Sequence, residues 1–340
     1  MAGNENTTVP VINISPFASS EAHDEEARAV CSLEWDKAMR EFGFAYIVGH
    51  GVEKETVESA RSAFKAFFEQ SAAYKSQFCH GGYGNPMGGY SGVGTEAVAR
   101  SQDGHGGLGL EDNKAAAPDP VESYTCRLPS EWVTSLPPLA KEVAVPAAEY
   151  YKQMRRLVDC LKTMSTAALG LSPDYFEPFY TPEPECYLVA KSYPPAPQGR
   201  LRFGAHTDYT GYTILKQDDA DDSPGAGGLE VLLKSGEWLR VTPLQNAFVV
   251  NLGDLYEDWT NGRWRSTVHR VASPEPGSEA ATTTRLSLPF FSGPHNDAVI
   301  TTIPTCVSRD VPDKLLEPTT AGEHLMKKFS ASQVKAASNA

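Results

Sequence analysis

The second half of the chain is written in short apolar runs. Tyr187–Tyr193, Thr213–Leu215, Leu229–Leu233, Trp238–Val241, Phe248–Leu252 and Leu286–Phe291 follow one another, separated by clusters of Gly, Pro and Asp. Many short strands with turn signals between them predict a β-sandwich or barrel. Lys234-Ser235-Gly236-Glu237 reads as the turn of a hairpin between two of these runs.

The first half has a different texture. Val9–Ile14 alternates and is β-branched, a strand signal, and Phe42–Val48 is a buried strand ending at Gly49-His50-Gly51. Helices are expected from about Asp24 to Phe42 and from about Glu53 to Gln70, where apolar positions recur three and four apart. A long amphipathic helix is expected from about Pro146 to Leu169, with Tyr150, Met154, Leu157, Leu161, Met164 and Ala168 on one stripe. The tail from about Asp313 to Ser332 reads as helical again. Residues 80–112 are Gly-rich and irregular, which in a compact domain suits either a functional lid or a surface loop. The organisation expected is one integrated unit. Its parts are a helical and strand region with the Gly-rich lid (1–120), a long-helix support (121–184), a β-rich core (185–310) and a C-terminal helix and tail (311–340).

With 340 residues, 41% of them apolar, the chain can bury a sizeable core. A formal net charge of −13 opposes general affinity for nucleic acid and for anionic membrane surfaces. The six cysteines form no Cys-x-x-Cys pair and suit reduced thiols. The polar start and the lack of a long apolar run give the expectation of a cytoplasmic location. A small-molecule substrate and a monomeric state are expected, with neither nucleic acid nor membrane as partner.

One constellation carries chemistry. His206-Thr207-Asp208 follows the extended stretch Leu201–Ala205, so the His206 and Asp208 side chains, two apart, project to one face. His-x-Asp alone fits equally a surface histidine and a turn aspartate, or a hydrogen-bonded core histidine. His269, within Ser266–Val271, is the best third ligand. Two imidazoles and one carboxylate leave coordination positions open and suit redox-active non-haem Fe(II) that binds a cosubstrate and O2. Arg285-Leu286-Ser287 opens a later apolar run, with Arg285 and Ser287 on one strand face. A buried guanidinium is costly without an anion. A structural ion pair is one solution; the far carboxylate of 2-oxoglutarate, bound bidentately by Arg285 and by the Ser287 hydroxyl, is the other.

These segments resemble the isopenicillin N synthase-like branch of the Fe(II)/2-oxoglutarate-dependent dioxygenases. The matching stretches include His206–Leu215, Gly227–Val231, Gly236-Glu237-Trp238, Ala247–Asp254, Trp259–Gly262, Ser266–Val271 and Arg285–Phe291. Val9–Ile12 and Gly43–Gly51 match in the amino-terminal half, so the resemblance covers about residues 9–330. It implies a mixed α and β fold, a double-stranded β-helix (distorted jelly roll) core flanked by helices. It implies iron on His206, Asp208 and His269, and 2-oxoglutarate on Arg285 and Ser287 with help from Tyr193. O2 is the oxidant and ascorbate supportive in vitro. The implied activity is oxidative decarboxylation of 2-oxoglutarate coupled to hydroxylation, desaturation or ring closure of a small, specialised-metabolite substrate. Some relatives, isopenicillin N synthase and aminocyclopropane-carboxylate oxidase among them, dispense with 2-oxoglutarate yet keep a similar Arg-x-Ser. A non-catalytic binding protein on the same fold is a further alternative. Lys191 departs from the family, which often carries Asn there. Tyr90, Arg100, Arg127, Lys191, Phe203 and Tyr209 are the candidate substrate residues. The basic members among them suggest a carboxylated substrate such as an amino acid derivative, while solvated surface charge is the plainer reading of the same residues.

Overall fold

The computed structural model of the protein describes residues 8–19, 24–80, 88–99, 117–128, 136–195, 201–217, 227–313 and 318–332. Its helices are α1 (Ser15–Ala18), α2 (Glu25–Glu41), α3 (Lys54–Phe68), α4 (Ala72–Lys75), α5 (Lys141–Ala168), α6 (Glu177–Tyr180), α7 (Asp254–Trp259) and α8 (Ala321–Ser332). The first strands are β1 (Val11–Asn13), β2 (Phe44–Val48), β3 (Gly89–Ser91), β4 (Glu122–Cys126) and β5 (Glu185–Tyr193). There follow β6 (Phe203–His206), β7 (Tyr212–Lys216), β8 (Leu229–Leu232), β9 (Trp238–Arg240) and β10 (Phe248–Leu252). The last are β11 (His269–Val271), β12 (Arg285–Gly293), β13 (Val299–Ile300) and β14 (Thr319–Thr320).

The strands form an eight-stranded sheet in the order β1-β2-β10-β7-β12-β5-β4-β3 and a four-stranded sheet in the order β6-β11-β8-β9, with β13 and β14 paired apart. Pairing is antiparallel throughout except between β1 and β2. Strand alternation explains how the large sheet is buried on both faces. Phe248, Val250 and Leu252 of β10, Cys186, Leu188 and Ala190 of β5, and Leu286, Leu288 and Phe290 of β12 face one core with α2, α3 and α5. Val249 of β10 turns the other way and packs with Phe44 and Tyr46 of β2 against Leu229 and Val231 of β8. The two sheets thus close on each other as a double-stranded β-helix, a distorted jelly roll, flanked by helices. Burial on both faces is why these strands read as nearly continuous apolar runs.

The first half is woven into this core. β1 to β4 all join the large sheet, so the sheet draws on residues well before 185. At Gly43 (φ 66°) a Cβ would meet the Arg265 carbonyl oxygen at 2.4 Å. Glycine there lets β2 lie against the segment leading to His269, where Thr267 donates its hydroxyl to Phe42 O at 2.6 Å.

Three boundaries differ from the sequence reading. α5 begins at Lys141, so Pro146 lies inside it rather than at its start. The missing N–H falls in the helix's second turn, and the buried Val143 and Ala147 hold that turn in place. The tail helix begins only at Ala321, because Thr319-Thr320 pairs with Val299-Ile300. Gly89–Ser91 is a strand against β4, not loop. Lys234–Glu237 does turn the β8–β9 hairpin, with Gly236 at φ 86° and Leu233 N donating to Glu237 O at 2.9 Å. Arg100 and much of the 80–112 lid candidate lie outside the described residues. All six cysteines are free thiols. No helix among the described residues is long and apolar enough to cross a membrane.

Candidate metal centre

His206 ends β6 and His269 begins β11, and the antiparallel register sets the two directly opposite each other. Asp208 lies just beyond β6 in a segment tied down by its backbone: Asp254 N donates to Asp208 O at 2.9 Å. Thr207, between the two candidate ligands, donates its hydroxyl to Asp254 Oδ2 at 3.1 Å. The result brings three distant residues together. His206 Nε2 and His269 Nε2 each lie 3.8 Å from Asp208 Oδ1, and one donor atom from each residue falls within 4.8 Å of the others.

The surrounding polar groups aim these donors. His206 Nδ1 lies 2.8 Å from Gly204 O, and His269 Nδ1 lies 3.0 Å from Thr267 O. A carbonyl only accepts, so each Nδ1 carries the proton and each Nε2 is left bare for a cation. Asp208 Oδ2 accepts from Thr213 Oγ1 and Asn251 Nδ2, both at 2.5 Å, which leaves Oδ1 for the same cation. Burial, and then the neighbouring His269, push His206 down to about 3, so its imidazole is neutral. Burial would raise Asp208, but His269, His206 and the two hydrogen bonds outweigh it and hold the carboxyl below its usual range. A neutral His206 imidazole and an ionised Asp208 carboxylate are protonation states that binding of a divalent metal requires. Phe44 and Phe203 make T-shaped contacts with His269 and His206, at 5.3 and 5.0 Å between ring centroids. Two imidazoles and one carboxylate fit non-haem Fe(II).

Beside the triad, β5 and β12 present a second polar patch. Their register sets Tyr193 opposite Arg285 and Lys191 opposite Ser287. Arg285 is 4% exposed, and its Nε and Nη1 have no hydrogen-bond partner. Its guanidinium lies 5.0 Å from the centroid of the Tyr193 ring. Ser287 is buried two residues further along the same face.

The remaining candidates divide. Phe203, Tyr209 and Tyr193 pack in one cluster with Val98, Val121 and Leu325 beside the triad. Lys191 reaches the same place, its Nζ 4.3 Å from the Phe203 ring centroid and 2.6 Å from Glu96 Oε2. Arg127, just past β4, pairs with Glu185 at 2.6 Å. Tyr90 does not join them. Its hydroxyl donates to Glu122 Oε2 at 2.7 Å and its ring meets Phe67 of α3 at 5.9 Å, on the helical side of the sheet. The correction follows from alternation: Gly89 and Ser91, not Tyr90, take the inner face of β3. Sequence reasoning missed Thr213, Asn251 and Glu96. A polar residue in the otherwise apolar run Phe248–Leu252 was the available signal for Asn251. Glu96, in an aperiodic Gly-rich segment, had none.

Comparison with known proteins agrees with this geometry. Residues 184–294 match the family described as 2OG-Fe(II) oxygenase superfamily. Residues 9–135 match the one described as non-haem dioxygenase in morphine synthesis N-terminal. The chain is 31% identical over 287 residues to the 2-oxoglutarate-dependent dioxygenase traH of Penicillium crustosum, covering 82% of this chain and 84% of that one. It is 29% identical over 334 residues to a 1-aminocyclopropane-1-carboxylate oxidase of Diospyros kaki, covering 96% and 92%. Among solved structures, full-length T7H of Neurospora crassa in complex with alpha-KG superposes with a TM-score of 0.79 at 26% identity, covering 96% and 98%. A buried His-Asp-His triad inside a jelly roll, matched by family over both halves of the chain, makes this protein a member of the 2OG-Fe(II) oxygenase superfamily.

Proposed function

We propose that His206, Asp208 and His269 hold Fe(II), and that Arg285, Ser287 and Tyr193 hold 2-oxoglutarate, in an oxidase of a small molecule. The observation that carries the cosubstrate assignment is Arg285, a buried guanidinium with two unpartnered nitrogens. Such a group is stable only if an anion meets it when the enzyme works. The far carboxylate of 2-oxoglutarate matches it in charge and in bidentate geometry, with the Ser287 hydroxyl as a further donor. Among related structures, one of T7H contains alpha-KG and thymine, and one of JOX2 contains 2OG, Fe and JA, which supports a small-molecule substrate here.

Bound iron would supply the activation of O2 that couples decarboxylation of the keto acid to oxidation of the substrate. The chain's own work is positional. Thr213 and Asn251 fix one carboxylate oxygen of Asp208, so the other stays aimed inward. The carbonyls of Gly204 and Thr267 fix the imidazole tautomers. Phe203, Tyr209 and Leu325 exclude water from the reacting face. No side chain is needed as a general base.

The test is coupling. Protein supplied with Fe(II), ascorbate, O2 and 2-oxoglutarate should form succinate in step with product, and His206→Ala or Asp208→Ala should abolish both. Product formed without succinate would instead assign the 2-oxoglutarate-independent chemistry. Fe(II) bound with no O2 consumed under any substrate would assign a binding protein.

A further inference from the structure

Among the described residues, the inner wall beside the metal centre carries three cations on or beside β4, β5 and β12: Arg127, Lys191 and Arg285. Two of them are already neutralised by the wall itself. Arg127 Nη1 lies 2.6 Å from Glu185 Oε1, and the other oxygen of that carboxylate accepts from Asn296 Nδ2 at 3.3 Å. Lys191 Nζ lies 2.6 Å from Glu96 Oε2, and Glu96 Oε1 accepts from Ser123 Oγ at 2.6 Å. Glu96 is fully buried and Lys191 is 6% exposed. The pair sits in the heart of the site: Lys191 Nζ lies 4.3 Å from the Phe203 ring centroid, and that ring makes a T-shaped contact with His206.

Arg285 alone of the three has fully buried nitrogens without a hydrogen-bond partner, and the cosubstrate's far carboxylate answers it. Among the described residues of this wall, a substrate carboxylate would therefore meet no uncompensated cation. It would have to displace Glu96 from a hydrogen-bonded ion pair, or lie buried beside carboxylates of like charge, and both are costly. What the wall does offer is aromatic surface. The Tyr187 ring, on the same face of β5 as Lys191 and Tyr193, stacks on Phe291 at 5.0 Å with 23° between planes.

We infer that the substrate is uncharged where it faces the metal, a neutral ring-bearing small molecule packed on Tyr187 and Phe291. Glu96 enforces this selectivity by cancelling the charge of Lys191. The inference names the substrate class of the site assigned above and rests on that assignment of Arg285 to 2-oxoglutarate. It reverses the expectation of a carboxylated substrate drawn from the basic residues alone. Glu96 acts through Lys191, so it is a specificity residue rather than a catalytic one.

The test compares benzamide with benzoate, a matched neutral and anionic ring, on the enzyme loaded with Fe(II) and 2-oxoglutarate. Anaerobic binding is read by change in protein fluorescence, and succinate release in air is read in parallel. Wild type should bind benzamide at least tenfold more tightly than benzoate. Glu96→Gln leaves Lys191 without its carboxylate and should lower the benzoate Kd at least tenfold, while Glu96→Asp should keep the wild-type ratio. Adding Lys191→Met to Glu96→Gln should return the preference to benzamide. A preference for benzamide below tenfold in wild type, no detectable benzamide binding, or no gain of benzoate binding in Glu96→Gln overturns the inference. Should Glu96→Gln not fold, the wild-type ratio decides alone. Failure of the cosubstrate assignment is separable: it appears as absence of 2-oxoglutarate binding and succinate, whatever the benzamide-to-benzoate ratio.

Discussion

Replacing Arg285 by Met should move two properties in opposite directions. The guanidinium is buried and two of its nitrogens are unpartnered, so without cosubstrate the residue is a liability to the fold. Removing a buried unsatisfied polar group recovers about 1–3 kcal/mol. The contact with the Tyr193 ring, at 5.0 Å, gives back some of this. A cation over an aromatic face contributes about 0.5–2 kcal/mol, depending on how fully it is desolvated. Met conserves most of the stem, so the cavity cost is small, and the net gain for protein free of 2-oxoglutarate is up to about 2 kcal/mol. Binding should suffer far more. Truncating one partner of a buried, hydrogen-bonded charge pair costs about 2–5 kcal/mol. At about 1.4 kcal/mol per factor of ten, the 2-oxoglutarate requirement should rise by about thirty-fold to several thousand-fold.

Two assays read these quantities separately. Succinate formation against 2-oxoglutarate concentration gives the requirement, and urea unfolding without 2-oxoglutarate gives the stability. A structural ion-pair role for Arg285 predicts the reverse pattern, with lower stability and an unchanged requirement. That result would refute the reasoning, as would a variant in which both properties fall together by similar free energies.

Two further predictions follow from the groups around the centre. Asn251→Ala removes one of the two hydrogen bonds to Asp208 Oδ2 and should weaken Fe(II) binding about 10–100-fold, read by anaerobic titration; unchanged affinity would show that Thr213 suffices. Asp119 accepts from Val98 N and Gly204 N, yet burial, and then Glu96, raise it from 3.8 to about 6. A raised carboxyl binds its proton more tightly when folded, so its contribution to stability is complete below the unfolded value and lost as pH rises through about 6. Asp119→Asn should therefore lose less stability than wild type between about pH 4 and about pH 6 in urea unfolding. Parallel curves would mean that Asp119 does not titrate there.

How much of this was legible in the sequence depended on whether the signal was local. The short apolar runs of β5, β10 and β12, bounded by turn residues, are a property of neighbouring residues, so the strands could be read directly, while burial on both faces hid which side chains look inward. The pairing of His206 with His269 is not local, but each lies in a short stretch whose character is distinctive. Glu96 and Asp119 had no such help. Each sits in irregular chain, and each becomes buried only because that chain folds back over β5 and β6. Close approach at Gly204 permits this: a Cβ there would meet the Ala99 Cβ at 2.9 Å and Asp119 Oδ1 at 3.3 Å. Nothing in residues 96–99 or 117–121 announces that contact. The start of α5 was misplaced for a related reason. Pro146 is a strong local stop or start signal, and tertiary packing of Val143 overrode it.

The difference between a residue's type and its state of compensation also explains why the substrate expectation changed. Arg127, Lys191 and Arg285 look alike in a sequence, as three cations in or beside apolar strands. In the folded chain two have carboxylates at 2.6 Å and the third has unpartnered nitrogens. A paired buried charge is close to electrically silent toward a ligand, because an incoming anion must first break a bond already made. An unpartnered one is the strongest attractor for an anion in a low-dielectric wall. The number of anions a site can take is therefore set by its uncompensated cations rather than by its basic residues. Among the described residues of this wall that number is one, as the proposed place of the far carboxylate of 2-oxoglutarate requires.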